Sequence, residues 1–144
     1  MKYPQNRLSR AVVILVILMG GIFSIVSPAR AQGININLDD TIASGEVVEN
    51  DAFLAGTTVR VDGDVVGDVF AGGTLVEING DVEGSLLAVG QNVVIIGTVG
   101  GSVYVAAGTL DLGPEAETGK TVYFIGASAA AEEGSVIGRE LVLA

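Results

Sequence analysis

The chain has 144 residues, of which 21 are glycine, 5% are aromatic and none is tryptophan; few rings and many β-branched residues suit one domain with a thin, layered core. It has no cysteine and no histidine, which excludes a disulfide framework and a thiolate metal site and removes the commonest general base and metal ligand. The net charge is −10, from 7 basic and 17 acidic residues; such a surface repels phosphate backbones and anionic head groups, so nucleic acid is not an expected partner.

Residues 1–31 read as a targeting segment. Lys2, Arg7 and Arg10 form a basic start, and an apolar run from Ala11 to Val26 succeeds it, interrupted by Gly20, Gly21 and Ser24. Pro28-Ala29-Arg30-Ala31-Gln32 then places small residues at Ala29 and Ala31, an A-x-A cleavage signal. Cleavage after Ala31 is expected, and the alternative is an uncleaved anchor through residues 11–26, a run slightly short of the ~20 residues of a spanning helix. Four of the seven bases lie in this segment with no acid, so residues 32–144 carry 3 bases against 17 acids, a net of −14.

Residues 32–41 come next. Ile34, Ile36 and Leu38 alternate with Asn35 and Asn37, which predicts a short N-terminal strand able to cap the first unit of the repeat.

From residue 42 to 144 the chain is a repeat. Residues 51–67, 68–84, 85–101 and 102–118 align without gaps at a period of 17. A partial copy precedes them, a looser copy with two extra residues begins near Thr121, and a last, incomplete one lies in the final residues, RELVLA. A fixed period of this size means that each unit buries its apolar face only against the next.

The columns of the alignment show how. Val59, Val76, Val93 and Leu110 share a position, and two residues on stand Val61, Ile78, Ile95 and Leu112. Further apolar columns are Val65/Val82/Val99/Ala116, Ala52/Val69/Leu86/Val103 and Leu54/Ala71/Ala88/Val105. Residues two apart share one side of a strand. Each unit is therefore expected to hold three short strands with three glycine corners: Gly63/Gly80/Gly97, Gly67/Gly84/Gly101 and Gly56/Gly73/Gly90. Asp62-Gly63 and Asn79-Gly80 are pairs that tolerate positive φ in a turn. The predicted fold is all-β: a parallel β-helix (β-solenoid) of triangular cross-section, with equivalent strands stacked about 4.8 Å apart. A helical reading fails, because glycine recurs every few residues and each costs about 1 kcal/mol inside a helix.

No chemistry rises from the repeat, and no cofactor, metal or catalytic residue is expected. Asp62, Asp64, Asp68 and Asp81 cluster, but their spacing matches the coil and they read as turn residues rather than a calcium loop. Ser85 and Ser102 lack a partner base. Gly119-Lys120-Thr121 resembles the tail of a phosphate loop, but Pro114 stands where its first glycine is required.

One column points outward between two inward ones: Phe53, Phe70, Leu87 and Tyr104, continued by Tyr123 and Val142. This predicts an exposed apolar stripe, a candidate assembly surface. Leu141, Val142 and Leu143 form a second candidate, a terminal strand edge able to pair with another chain.

Segments such as GDVVGDVFAGGTLVEINGDVEG and IIGTVGGSVYVAAGTLDLG, of the form V-x-x-x-G-D-V-x-A-G-x-x-V-x-I-x-G, resemble bactofilins, the polymer-forming cytoskeletal proteins of bacteria, over about residues 42–144. The resemblance implies a right-handed β-helix that joins end to end without nucleotide. Bactofilins are typically cytoplasmic, so this chain is similar to their exported relatives. The expectation is a non-enzymatic structural protein, exported to the periplasm, cell surface or medium, that self-assembles or presents a rigid acidic rod at the cell envelope. Its expected partner is itself or an envelope component, with membrane contact only if residues 11–26 stay uncleaved. The alternative is an extracytoplasmic binding module or adhesin.

Overall fold

A computed structural model describes residues 40–144; residues 1–31, where a targeting segment is expected, and the alternating Ile34–Leu38 stretch lie outside the described residues. The first coil contains β1 (Thr41–Ile42) and β2 (Val47–Val48), and the second β3 (Ala52–Val61) and β4 (Asp64–Val65). The third contains β5 (Val69–Ile78), with Val82 bridging on to its neighbours in place of a short strand. The fourth has β6 (Leu86–Ile95) and β7 (Thr98–Val99), and the fifth β8 (Val103–Leu112) and β9 (Glu117–Thr118). The sixth has β10 (Val122–Ala131) and β11 (Val136–Ile137), and β12 (Leu141–Leu143) comes last. There is no helix among the described residues.

The long strands stack in parallel, with the short β1 and β12 at either end, in the order β1-β3-β5-β6-β8-β10-β12. The short strands form the other side, as β2-β4 and β7-β9-β11, joined through parallel bridges of Val65 and Val99 to Val82. This is a β-solenoid of about six turns, as the repeat predicts. Six rungs of sheet give a rod roughly 29 Å long.

The inward columns form the core. Val59, Val76 and Val93 are fully buried, as are Val61, Ile78 and Ile95. Ala52, Val69, Leu86, Val103 and Val122 make one buried column, and Leu54, Ala71, Ala88, Val105 and Phe124 another. Each apolar side chain lies on its equivalent one coil away, so the core is a set of parallel columns.

Three expectations are corrected. First, a coil holds two hydrogen-bonded strands, not three. The third corner is a bend inside each ten-residue strand: pairing runs to Gly56↔Gly73 and resumes at Thr58↔Leu75, passing over only Thr57 and Thr74. Leu54 and Val59 are both buried with four exposed residues between them, and an odd spacing of inward positions turns the chain without ending the ladder.

Second, the period does not stay at 17 through residue 118. Ile95 pairs with Leu112, 17 residues on, but Thr98 pairs with Glu117, 19 on. The two extra residues lie in the corner Gly113-Pro114-Glu115-Ala116, closed by the Ala116 amide donating to the Gly113 carbonyl at 3.0 Å. The partner of Val99 is therefore Thr118, not Ala116; Ala116 is buried inside the wider turn. Turns of the same length occur at Ala43–Glu46 and Glu132–Ser135, and these contain Gly45 (φ 83°) and Gly134 (φ 108°).

Third, those two glycines are the residues with positive φ among the described ones, and Gly63, Gly80 and Gly97 are not. Glycine at the tight corners answers to stacking. A Cβ on Gly80 would collide with the carbonyl oxygen of Gly63, and one on Gly97 with that of Gly80. The tight corner brings its two amides onto one carbonyl below: Asn79 and Gly80 both donate to Val61, at 2.8 and 2.9 Å. That draws successive corners too close together for any side chain.

Candidate functional site

The corner before each long strand fixes where its outward side chains emerge. Asp51 Oδ1 accepts the Asp68 amide at 2.9 Å, Asp68 Oδ1 accepts the Ser85 amide at 2.7 Å, and Ser85 Oγ accepts the Ser102 amide at 3.2 Å. A side-chain acceptor on one coil thus satisfies the backbone of the next, and the column climbs with the solenoid. Between side chains, Asp62 Oδ1 accepts from the Asn79 Nδ2 amide one coil on at 2.6 Å. The clustered acids are therefore turn and ladder residues; among the described residues no three His, Cys, Asp or Glu side chains are grouped as metal ligands.

Two residues beyond each corner capped in this way the stripe begins. Phe53, Phe70, Leu87, Tyr104, Tyr123 and Val142 are consecutive partners across the parallel ladder. Phe53 stacks on Phe70 with ring centroids 4.7 Å apart, and Tyr104 on Tyr123 at 5.1 Å, both pairs with nearly parallel rings. The rung spacing of a parallel sheet matches the contact distance of flat rings, so the ladder itself sets the stacking. Leu87, Tyr104, Tyr123 and Val142 are about 40% exposed.

The apolar surface is wider than that column. Val89 and Ile125 stand two residues further along their strands and are 52% and 64% exposed. With Leu87, Tyr104, Ala106 and Tyr123 they line a shallow surface groove of about 220 Å³. The signal was present in the sequence as a second outward position, but Ala55 and Gly72 occupy it in the earlier coils and conceal its apolar character.

The terminal residues lie where the alignment puts them. Leu141, Val142 and Leu143 pair in parallel with Val122, Tyr123 and Phe124. Leu141 and Leu143 therefore continue inward columns, yet they are exposed, because β12 has a neighbour on one side only among the described residues. On the opposite side of the rod a second groove, of about 480 Å³, is lined by Val47, Val66, Asp64, Asp81, Glu83 and Thr98. Its lining mixes acidic and aliphatic side chains.

The basic residues separate by position. Arg60 donates to Glu77 one coil on, at 2.6 Å. Lys120 and Arg139 are exposed and lie at the same corner of successive coils, since Thr118 pairs with Ile137 and Val122 with Leu141. The gap-free period hid this alignment, which depends on the 19-residue spacing.

No protein-family model matches the chain, and comparison with curated proteins and with solved structures finds no similar one.

Proposed function

We propose that the chain is a non-enzymatic structural protein of bactofilin type, exported to the cell envelope, where copies associate into rigid acidic rods. The observation that carries this reading is the outward apolar stripe, in register over six consecutive strands of one sheet. The stripe is exposed from Leu87 to Val142, with Phe53 and Phe70 partly buried, and exposed apolar surface along a rigid face marks an association site. Leu141 and Leu143 of β12 continue two inward columns and add an apolar rung to the stack. The resemblance of residues 42–144 to bactofilins agrees with end-to-end joining.

Negative-stain microscopy and light scattering of the processed chain across a salt series test the proposal. Filaments are expected, and salt is expected to promote their bundling, because it screens the repulsion between bodies of net charge −14. Leu141→Lys with Leu143→Lys should shorten the filaments, while Phe70→Ser with Tyr104→Ser should reduce bundling alone. A monodisperse monomer at high concentration and at every salt overturns assembly and leaves the binding-module reading.

A further inference from the structure

We propose that the stripe binds a second copy of the chain side by side and antiparallel, about a two-fold axis that passes Leu87. The inference deepens the assembly reading and rests on it. Its first ground is the order of the column. Phe53, Phe70, Leu87, Tyr104 and Tyr123 read as aromatic, aromatic, leucine, aromatic, aromatic in five consecutive rungs. A two-fold axis lying in the face and running along the strands keeps each strand position and inverts the order of coils. It places Phe53 of one copy on Tyr123 of the other, Phe70 on Tyr104, and Leu87 on itself. An isologous interface requires that kind of self-complementarity.

The second ground is charge. The corner beside the stripe carries Glu49, Asp51 and Asp68 at the first rungs, and Lys120 and Arg139 at the last, where Glu140 stands beside Arg139. Among the described residues neither Lys120 nor Arg139 belongs to an ion pair. The antiparallel arrangement brings Lys120 of one copy opposite Asn50 of the other, between the acids Glu49 and Asp51, twice by symmetry. A parallel arrangement brings acidic end to acidic end and basic to basic. Complementary potentials of this sort select orientation more than they add affinity.

Five rungs of about 4.8 Å by five residues of about 3.3 Å offer roughly 400 Å² per copy, about 800 Å² in total, which is below the roughly 1,200 Å² at which stable interfaces begin. The pairing is therefore weak and exchanging, and a covalent trap is the suitable readout. The chain has no cysteine, so single cysteines report unambiguously. Phe53→Cys and Tyr123→Cys replace outward side chains, and circular dichroism verifies that each full chain, as its host processes it, keeps its fold. A bis-maleimide with a reach of about 8–10 Å suits the separation of packed sheets.

Mixing the two variants should give a cross-linked heterodimer, while each alone gives little product, because like positions lie four rungs apart, about 19 Å. Lys120→Glu should lower the heterodimer yield several-fold. So should Asp51→Asn, which keeps the Oδ1 that accepts the Asp68 amide; in the Lys120→Glu background the same Asp51→Asn should raise it. Self-linking of either variant alone means a parallel pair and overturns the proposal. Absence of any cross-link overturns it too, and if the cysteines also resist a soluble mono-maleimide, another segment of the chain covers the stripe. Filaments without this cross-link would leave the assembly reading standing and remove only the antiparallel pair. The cross-link without filaments would do the reverse to end-to-end joining.

Discussion

Gly80 and Gly72 differ in what lies where a side chain would go: a carbonyl at the first, open space at the second. A Cβ at position 80 meets the Gly63 oxygen, whereas a Cβ at position 72 meets nothing within 4 Å. Gly80→Ala should therefore cost at least ~1–3 kcal/mol through overpacking against backbone that cannot move aside. Gly72→Ala should be neutral or stabilising by a few tenths of a kcal/mol, since it restricts the unfolded chain without strain. Urea titration of the two variants checks the order, and a larger loss at Gly72 would contradict the stacking account. Thr118 supplies an opposite case. It is 1% exposed, its Oγ1 has no hydrogen-bond partner, and it stands in a column with Val65, Val82 and Val99. Thr118→Val keeps the shape and removes an unsatisfied buried hydroxyl, so it should stabilise by ~1 kcal/mol. Thermal denaturation should show a rise of several degrees.

Between neighbouring coils the joints are of two kinds, backbone rungs along the strands and side-chain acceptors at the corners. Asp68 belongs to the second kind, since its carboxylate accepts the Ser85 amide. Asp68→Ala leaves that amide unpartnered in a half-buried corner and should cost ~1–3 kcal/mol, and Asp68→Asn, which retains an acceptor oxygen, should cost less. Equal losses in the two variants would mean that the carboxylate's charge matters more than the bond. Within a strand, the two faces differ far more sharply. Val76 is fully buried, so Val76→Asp should abolish folding by placing a carboxylate in the core. The adjacent Glu77 faces outward and pairs with Arg60 at a half-exposed site. Glu77→Ala should cost no more than ~1 kcal/mol, as exposed ion pairs do. Circular dichroism separates the two at once.

At the scale of the whole molecule, each coil among the described residues touches only its neighbours, so the rod has repeating faces. What distinguishes one end from the other is composition: acids beside the stripe at the first rungs, bases at the last. That polarity is the ground for the proposed antiparallel pairing of two copies. The export reading belongs to this scale as well. In a bacterial host the exported product should begin at Gln32, and N-terminal sequencing checks it. A full-length product that sediments with membranes would instead make residues 11–26 an anchor.

Several features of this protein were legible without coordinates, and they share a cause. The period, the inward columns and the outward stripe from Phe53 to Val142 depend on strand alternation and on each unit resembling the next, both of which are written in spacing. The bend at Thr57 was legible only as a corner; that pairing continues around it depends on hydrogen bonds that only stacked coils define. The tight-corner glycines were legible as turn residues, but their reason was not φ. It was the distance to the carbonyl of the coil below, which no local pattern carries. The two extra residues at Gly113–Ala116 were misplaced because Ala116 fits an apolar column as well as any residue does. Only the pairing of Val99 with Thr118 reveals the shift, and with it the alignment of Lys120 with Arg139. Alternation is a property of one strand and could be read from the chain, whereas register, clearance and the meeting of charges are properties of two coils in contact, and the tertiary structure alone decided them.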